Sequence, residues 1–115
     1  MENPEEEFEI IISRPAEISF YEILEYFYEH YSLERAERIS NELRDFVKKL
    51  KYFPERGNIE KRLLNRSKEY KFILFKRSAR ADIKIIYNIH KENSKVFIID
   101  FFPTESDEYT ISKMG

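Results

Sequence analysis

The order of the hydrophobic repeats along the chain is the feature that most constrains its fold. Between residues 20 and 50, apolar residues recur at the spacing of amphipathic helices. Between residues 70 and 102 they alternate or run together, as in strands that are half or fully buried. Helices followed by strands predict an α+β protein, because neither layer buries its apolar side alone.

Two helices are predicted in the first half of the chain. Ser13 is placed to cap the first helix, and Pro15 lies in its first turn, where a missing N–H costs nothing. Ser32 is placed to cap the second helix, which Pro54 and Gly57 bring to an end. The turn between the helices is only two or three residues long, which predicts an antiparallel helical hairpin.

Four strands complete the predicted order β-α-α-β-β-β. They cover residues 8–12, 70–76, 83–90 and 96–102, with a turn at residues 92–94. The last strand is almost wholly apolar and is therefore expected to be central. We expect a small, mainly antiparallel sheet that the helical hairpin covers on one face.

The length and composition indicate one domain. The chain has 115 residues, of which 42% are hydrophobic and 18 are Phe or Tyr. That supplies a core for one unit of ordinary domain size. We expect a single domain over residues 1–115, with an ordered core from about residue 8 to residue 102, an acidic N-terminus and a short C-terminal tail.

Several kinds of site are excluded by residue counts. The chain has no Cys, which excludes disulfides, thiolate metal sites and Cys nucleophiles. His30 and His90 are far apart and have no metal-ligand spacing, so no metal is expected. The two glycines, Gly57 and Gly115, cannot form a phosphate-binding loop. We therefore expect no cofactor.

The sequence also carries no membrane or export signal. No apolar run is long enough to span a bilayer, and the first nine residues are acidic where a signal peptide is basic. We expect a cytoplasmic protein without a membrane partner.

The net charge of −2 hides a strong polarity along the chain. Residues 1–34 hold 10 acidic and 1 basic residue, whereas residues 35–95 hold 18 basic and 8 acidic residues. Local charge, more than net charge, attracts a polyanion. The sheet face away from the helices is expected to be partly open and to carry Lys71, Lys84 and His90. The alternative is that these are ordinary hydrated charges.

A basic surface of this kind permits metal-independent RNA cleavage. The protein must align the 2′-hydroxyl, stabilise charge on the phosphorane and protonate the leaving oxygen. The candidate catalytic residues are Lys71, Arg77, Lys84, His90 and Tyr109. Further candidates for binding RNA phosphates are Arg66, Lys68, Lys76 and Arg80.

The ordered combination of segments resembles the RelE/ParE superfamily of type II toxins, from about residue 8 to residue 102. Pro15-Ala16 opens the first helix, and residues 50–57 (LKYFPERG) are similar to the segment that ends the family's second helix. Tyr70-Lys71 resembles the start of its second strand. Residues 81–87 (ADIKIIY) and 96–102 (VFIIDFF) resemble its last two strands.

The resemblance implies a toxin inhibited by a cognate antitoxin, and operator DNA binding only through the antitoxin complex. It implies either ribosome-dependent mRNA cleavage or inhibition of DNA gyrase. We favour cleavage, with Lys71, Arg77 and Lys84 on phosphate and His90 or Tyr109 transferring protons. A gyrase inhibitor is the alternative, because Phe102-Pro103-Thr104-Glu105 replaces the usual basic residue after the last strand. A non-toxic binding domain of the same fold is the third.

Overall fold

The computed structural model describes residues 7–61, 69–78 and 81–104. Within these ranges the chain forms two α-helices, five strands and short 3-10 turns. The helices are α1 (Arg14–His30) and α2 (Leu33–Lys48). The strands are β1 (Glu9–Ile12), β2 (Asn58–Ile59), β3 (Tyr70–Ser78), β4 (Ala81–His90) and β5 (Lys95–Pro103). The 3-10 turns are Lys49–Lys51, Pro54–Arg56 and Lys91–Asn93.

Both predicted helix caps are confirmed. The Oγ atom of Ser13 accepts a hydrogen bond from the backbone N–H of Ala16 at 3.2 Å. The Oγ atom of Ser32 accepts one from the backbone N–H of Arg35, also at 3.2 Å. Each cap satisfies an N–H group that the first helical turn leaves without an internal acceptor.

The five strands form one mixed sheet in the order β1-β5-β4-β3-β2. The pairs β2–β3, β3–β4 and β4–β5 are antiparallel, and β1 runs parallel to β5. The predicted α+β fold is confirmed. The expected central position of the last strand is also confirmed, because β1 and β4 flank β5 on its two sides. One detail differs: the two-residue strand β2 lies in a segment whose sequence has no strand period.

The helical hairpin packs on one face of this sheet. The rings of Phe20 on α1 and Phe101 on β5 lie 5.2 Å apart, and those of Phe46 on α2 and Phe75 on β3 lie 5.4 Å apart. Apolar residues from both helices and from β3, β4 and β5 form one buried cluster with them. Burial of this shared apolar surface holds the two layers together.

The strand register places two predicted cationic residues on opposite faces of the sheet. Lys71 pairs with Tyr87, and Lys84 pairs with Leu74. Side chains alternate along a strand, so Lys71 shares the helix-covered face with Ile73 while Lys84 lies on the other face. The expectation that Lys71 and Lys84 share one open face is therefore wrong. Lys71 follows the odd-numbered core residues of its strand.

Candidate functional site

A turn is fixed against one end of the sheet by a buried tyrosine. The hydroxyl of Tyr87 donates a hydrogen bond to the carbonyl oxygen of Pro54 at 2.7 Å and accepts one from the N–H of Gly57 at 3.0 Å. The 3-10 turn Pro54–Arg56 is thereby held beside Lys71, the residue that pairs with Tyr87. This arrangement brings Glu55 to the end of the sheet.

A cavity of about 430 Å³ opens at this end of the sheet. Charged and polar side chains from the turn, from β3 and from the β4–β5 connection surround it. They are Glu55, Glu69, Lys71, His90, Lys91, Glu92 and Asn93, with Ile89 as the apolar member. Among the predicted site residues that the structure describes, Lys71 and His90 line this cavity.

The cations of the cavity already face carboxylates of the same chain. The Nζ atom of Lys71 lies 3.7 Å from Glu55 and 3.9 Å from Glu69, and the Nζ atom of Lys91 lies 2.9 Å from Glu55. The hydrogen bond from Lys91 lowers the pKa of the Glu55 carboxyl, and the same bond raises the pKa of Lys91. An incoming phosphate would compete with these carboxylates for both ammonium groups.

On the other face of the sheet, Lys84 forms a mostly buried ion pair. Its Nζ atom lies 2.5 Å from Oε1 of Glu60, and the two side chains are 15% and 4% exposed. The N–H of Glu60 donates to the carbonyl oxygen of Tyr70 at 2.7 Å, which fixes Glu60 next to β3. The ammonium of Lys84 also lies 4.3 Å from the centre of the Phe72 ring. This cation is held within the fold.

Arg77 and Lys76 lie at the far end of β3. The Nη1 atom of Arg77 donates a hydrogen bond to the hydroxyl of Tyr31, and its guanidinium lies 5.6 Å from the centre of the Tyr26 ring. Lys76 is 77% exposed and lies 3.7 Å from Asp82. Arg77 lies six positions after Lys71 along β3, which corresponds to roughly 20 Å. Arg77 therefore stabilises the end of the helical hairpin.

The remaining predicted residues are divided between the cavity and parts of the chain that the structure does not describe. His90 ends β4, and its ring lies 4.6 Å from that of Phe97. Arg66, Lys68, Arg80 and Tyr109 lie outside the described residues. The described candidates thus occupy three separate places: the cavity, the Glu60 pair on the opposite face, and the far end of β3.

The sequence analysis did not predict the carboxylates that pair with these cations. Glu69 and Lys71 are two residues apart at the start of a strand, and this spacing alone places them on one face. Glu55 and Glu60 carry no such signal, because their positions depend on how the chain between α2 and β3 folds against the sheet.

Two further kinds of site were searched for in the described residues. No group of three or more His, Asp or Glu side chains there could hold a metal ion. Neither described helix combines the length and the apolar character needed to span a bilayer.

Comparison with known protein families gives a match over most of the chain. Residues 10–108 match the family described as "ParE toxin of type II toxin-antitoxin system, parDE". No curated protein and no solved structure matches the chain. The matched range starts within β1 and runs past the end of β5, so it includes both helices and all of the described sheet except Glu9. The chain belongs to the ParE toxin family and is the toxin of a type II toxin–antitoxin system, with an antitoxin as its partner.

Proposed function

We propose that this toxin acts by binding a protein target, DNA gyrase, and that its antitoxin holds it inactive. The observation that supports binding over RNA cleavage is the pairing of Lys71 and Lys84 with carboxylates on opposite faces of the sheet. Cations that stabilise one phosphorane must converge on one point and be free to contact it.

The residues after the last strand support the same proposal. Pro103 ends β5, and the sequence continues with Thr104 and Glu105. The family resemblance implies that RNA-cleaving relatives carry a basic residue at this place. Without that residue, the segment supplies no cation to assist proton transfer by the candidates His90 and Tyr109.

Two assays run on the same purified toxin test the proposal. We expect the toxin to inhibit plasmid supercoiling by gyrase and the antitoxin to restore it. In a cell-free translation reaction, primer extension should show intact messages. Messages cut at discrete positions, with gyrase unaffected, would contradict the proposal and favour the ribonuclease.

Matched variants separate the two mechanisms at the level of residues. His90→Gln and Tyr109→Phe remove the proton-transfer groups with little change in side-chain size. We expect both variants to inhibit gyrase as the wild type does. Under the ribonuclease mechanism, at least one of them would cleave RNA about 100-fold more slowly or worse and would no longer arrest growth. A factor of this size is the usual contribution of a general acid or base to the rate.

A further inference from the structure

The first strand of the sheet, β1, has β5 on one side only. The N–H of Glu9 donates to the carbonyl oxygen of Ser94, just before β5, at 2.8 Å. The N–H of Phe8 points the other way and donates to the carbonyl oxygen of Lys51, also at 2.8 Å. Backbone groups alternate in direction along a strand, so the N–H and C=O groups of the even-numbered residues of β1 point away from β5.

Ile10 and Ile12 therefore carry the outward backbone groups of this edge. Within the part of the chain that the structure describes, nothing pairs with these groups, because β1 is the last strand on its side of the sheet. The Lys51 carbonyl covers the edge at Phe8, and the chain turns into α1 after Ser13. The free edge of β1 is thus short and has a defined beginning and end.

The residues of β1 favour the addition of a further strand. After Glu9 the strand consists of three isoleucines, which have a high propensity for β structure. Exposed strand edges are commonly protected by lysine, proline or a bulge, and β1 contains none of these. Ile12 is 45% exposed, and Ile10 and Ile11 are half-buried. A strand added here would cover apolar surface as well as satisfy backbone groups.

Two connected grooves run along this edge on the side of the helices. The first, of about 360 Å³, has Phe20 and Phe101 among its walls. The second, of about 570 Å³, extends past Phe8. Ile10 and Lys48 line both grooves, so the two form one channel beside β1, which we call the β1 groove. Side chains that point from an added strand toward the helices would enter the β1 groove.

We propose that the free edge of β1 pairs with the same edge of a second copy of this chain, antiparallel and about a two-fold axis at Ile11. This register places Ile10 opposite Ile12 of the second copy. Each such pair exchanges two N–H···O=C hydrogen bonds, so the contact satisfies the outward groups of both copies. The two described sheets then join into one, with five strands from each copy. This dimer does not depend on which target the toxin inhibits.

The axis at Ile11 is the symmetric register that fits the free edge. An axis at Ile10 would place Ile12 opposite Phe8, whose N–H is already bonded to the 3-10 turn after α2. An axis at Ile12 would place Ile10 opposite Arg14, which belongs to α1. The axis at Ile11 instead uses the outward groups of both isoleucines and ends where the free edge ends.

The charges at the two ends of β1 are also compatible with a two-fold contact. Each end carries an acidic and a basic residue with an N···O distance of 3.7 Å: Glu7 with Lys51, and Glu17 with Arg14. The two-fold axis brings the first end of one copy beside the second end of the other, so both signs of charge are present at each meeting point. Within the strands, Glu9 lies opposite Ser13 of the second copy and not opposite another carboxylate.

Single cysteines test the register, since the chain has no cysteine of its own. In the proposed dimer the two Ile11 residues form a non-hydrogen-bonded pair with Cα atoms about 4.5 Å apart, which a disulfide can span. We expect Ile11→Cys to give a covalent dimer on mild oxidation. Ile12→Cys is the matched control, because its thiol is at a more exposed position but lies diagonally from its counterpart, about 7 Å or more away. It should cross-link at least about ten-fold more slowly.

Sedimentation equilibrium of the full-length toxin measures the association itself. We expect a reversible dimer of the wild type in the micromolar range. Ile11→Lys places two ammonium groups side by side at the axis and should weaken the dimer about ten-fold or more. Leu33→Lys, the same change at an exposed apolar site where α2 begins, should alter it less than about two-fold. Circular dichroism melting checks the fold of each variant.

Several results would overturn the proposal. One is a wild type that stays monomeric at about 100 μM, well above the concentration at which even a small specific interface forms. Another is equal cross-linking of Ile11→Cys and Ile12→Cys, which remains decisive if Ile11→Lys fails to fold. A third is a dimer that Leu33→Lys dissociates and Ile11→Lys does not. A monomeric wild type whose antitoxin binding is lost in Ile11→Lys would assign the free edge to the antitoxin instead.

Discussion

The hydroxyl oxygen of Tyr87 lies 2.7 Å from the carbonyl oxygen of Pro54 and donates a hydrogen bond to it across the end of the sheet. The same oxygen accepts the N–H of Gly57. Tyr87 is fully buried, so neither backbone group has water as a ready substitute. One phenol thus fixes the turn that forms a wall of the cavity.

Replacing Tyr87 with Phe tests that role. Loss of the hydroxyl leaves the Pro54 carbonyl and the Gly57 N–H without this partner, and we expect a loss of about 2 kcal/mol in the free energy of unfolding. Urea denaturation followed by circular dichroism measures it. The control Tyr28→Phe, at an exposed site, should change stability by less than about 0.5 kcal/mol. Equal stability of both variants would contradict the assignment.

The pH dependence of stability gives a second test of the same group. Burial raises the pKa of Tyr87 from 10.0 to about 12. Between these values the unfolded chain releases the phenol proton while the folded chain keeps it. The contribution of the Tyr87 phenol to the free energy of unfolding is therefore complete below pH 10 and is lost as the pH rises through about 12.

The wild type should lose stability over this range relative to Tyr87→Phe. The difference in unfolding free energy between them should shrink by at most about 1.4 kcal/mol for each pH unit. Paired urea titrations at a series of pH values measure it. Parallel curves for the two proteins would show that the phenol does not titrate in this way.

The pair formed by Lys84 and Glu60 predicts a strong coupling. Lys84→Met removes the ammonium that faces the buried Glu60 carboxylate, and we expect a loss of about 3 kcal/mol. Adding Glu60→Gln in the same chain should restore about 2 kcal/mol of that loss. The measurement is a double-mutant cycle of unfolding free energies.

The exposed cation Lys76, which lies near Asp82, is the control for this cycle. Lys76→Met should cost about 0.5 kcal/mol or less, because a solvated pair contributes little. Additive effects of the Lys84 and Glu60 substitutions would mean that the two side chains do not interact in solution.

Position 57 requires a glycine because other atoms leave no room for a Cβ atom there. A Cβ atom at this position would lie 2.5 Å from the Tyr87 hydroxyl and 2.6 Å from the carbonyl oxygen of Phe72. We expect Gly57→Ala to destabilise the protein by about 2 kcal/mol through the displacement that this requires. Thermal unfolding measures it, and in a Tyr87→Phe background the added cost of Gly57→Ala should be smaller. An unchanged melting temperature would contradict the contact.

The parts of the fold that sequence predicted are those set by nearby residues. Ser13 and Ser32 cap their helices through bonds to residues three positions away, so each cap is visible in a short window of sequence. The alternation of residues in β4 puts Ile83 and Ile85 on one side of the strand, and both are buried in the structure. Local period and local hydrogen bonds carry this information.

The surroundings of the cations could not be predicted in the same way. Glu60 reaches Lys84 only because the two-residue strand β2 pairs with β3, and β2 has no sequence period of its own. The face of Lys71 was set by its parity with Ile73, a local signal that was overlooked when Lys71 and Lys84 were grouped by charge. Charge patterns in sequence give no strand register, whereas the register decides which charges meet.

The parallel pairing of β1 with β5 has a consequence for how the toxin is made. Ser13 Oγ bonds to the carbonyl oxygen of Ile99, a partner 86 positions further along the chain. β1 leaves the ribosome before the other described strands, yet the strand with which it pairs, β5, is the last of them to emerge. Pairing β1 with β5 closes a loop that contains most of the described chain. Such a loop closes slowly, so we expect the β1–β5 contacts to form last. A nascent chain interrupted before β5 would lack a completed sheet, so the finished toxin surface is expected only after β5 has been translated.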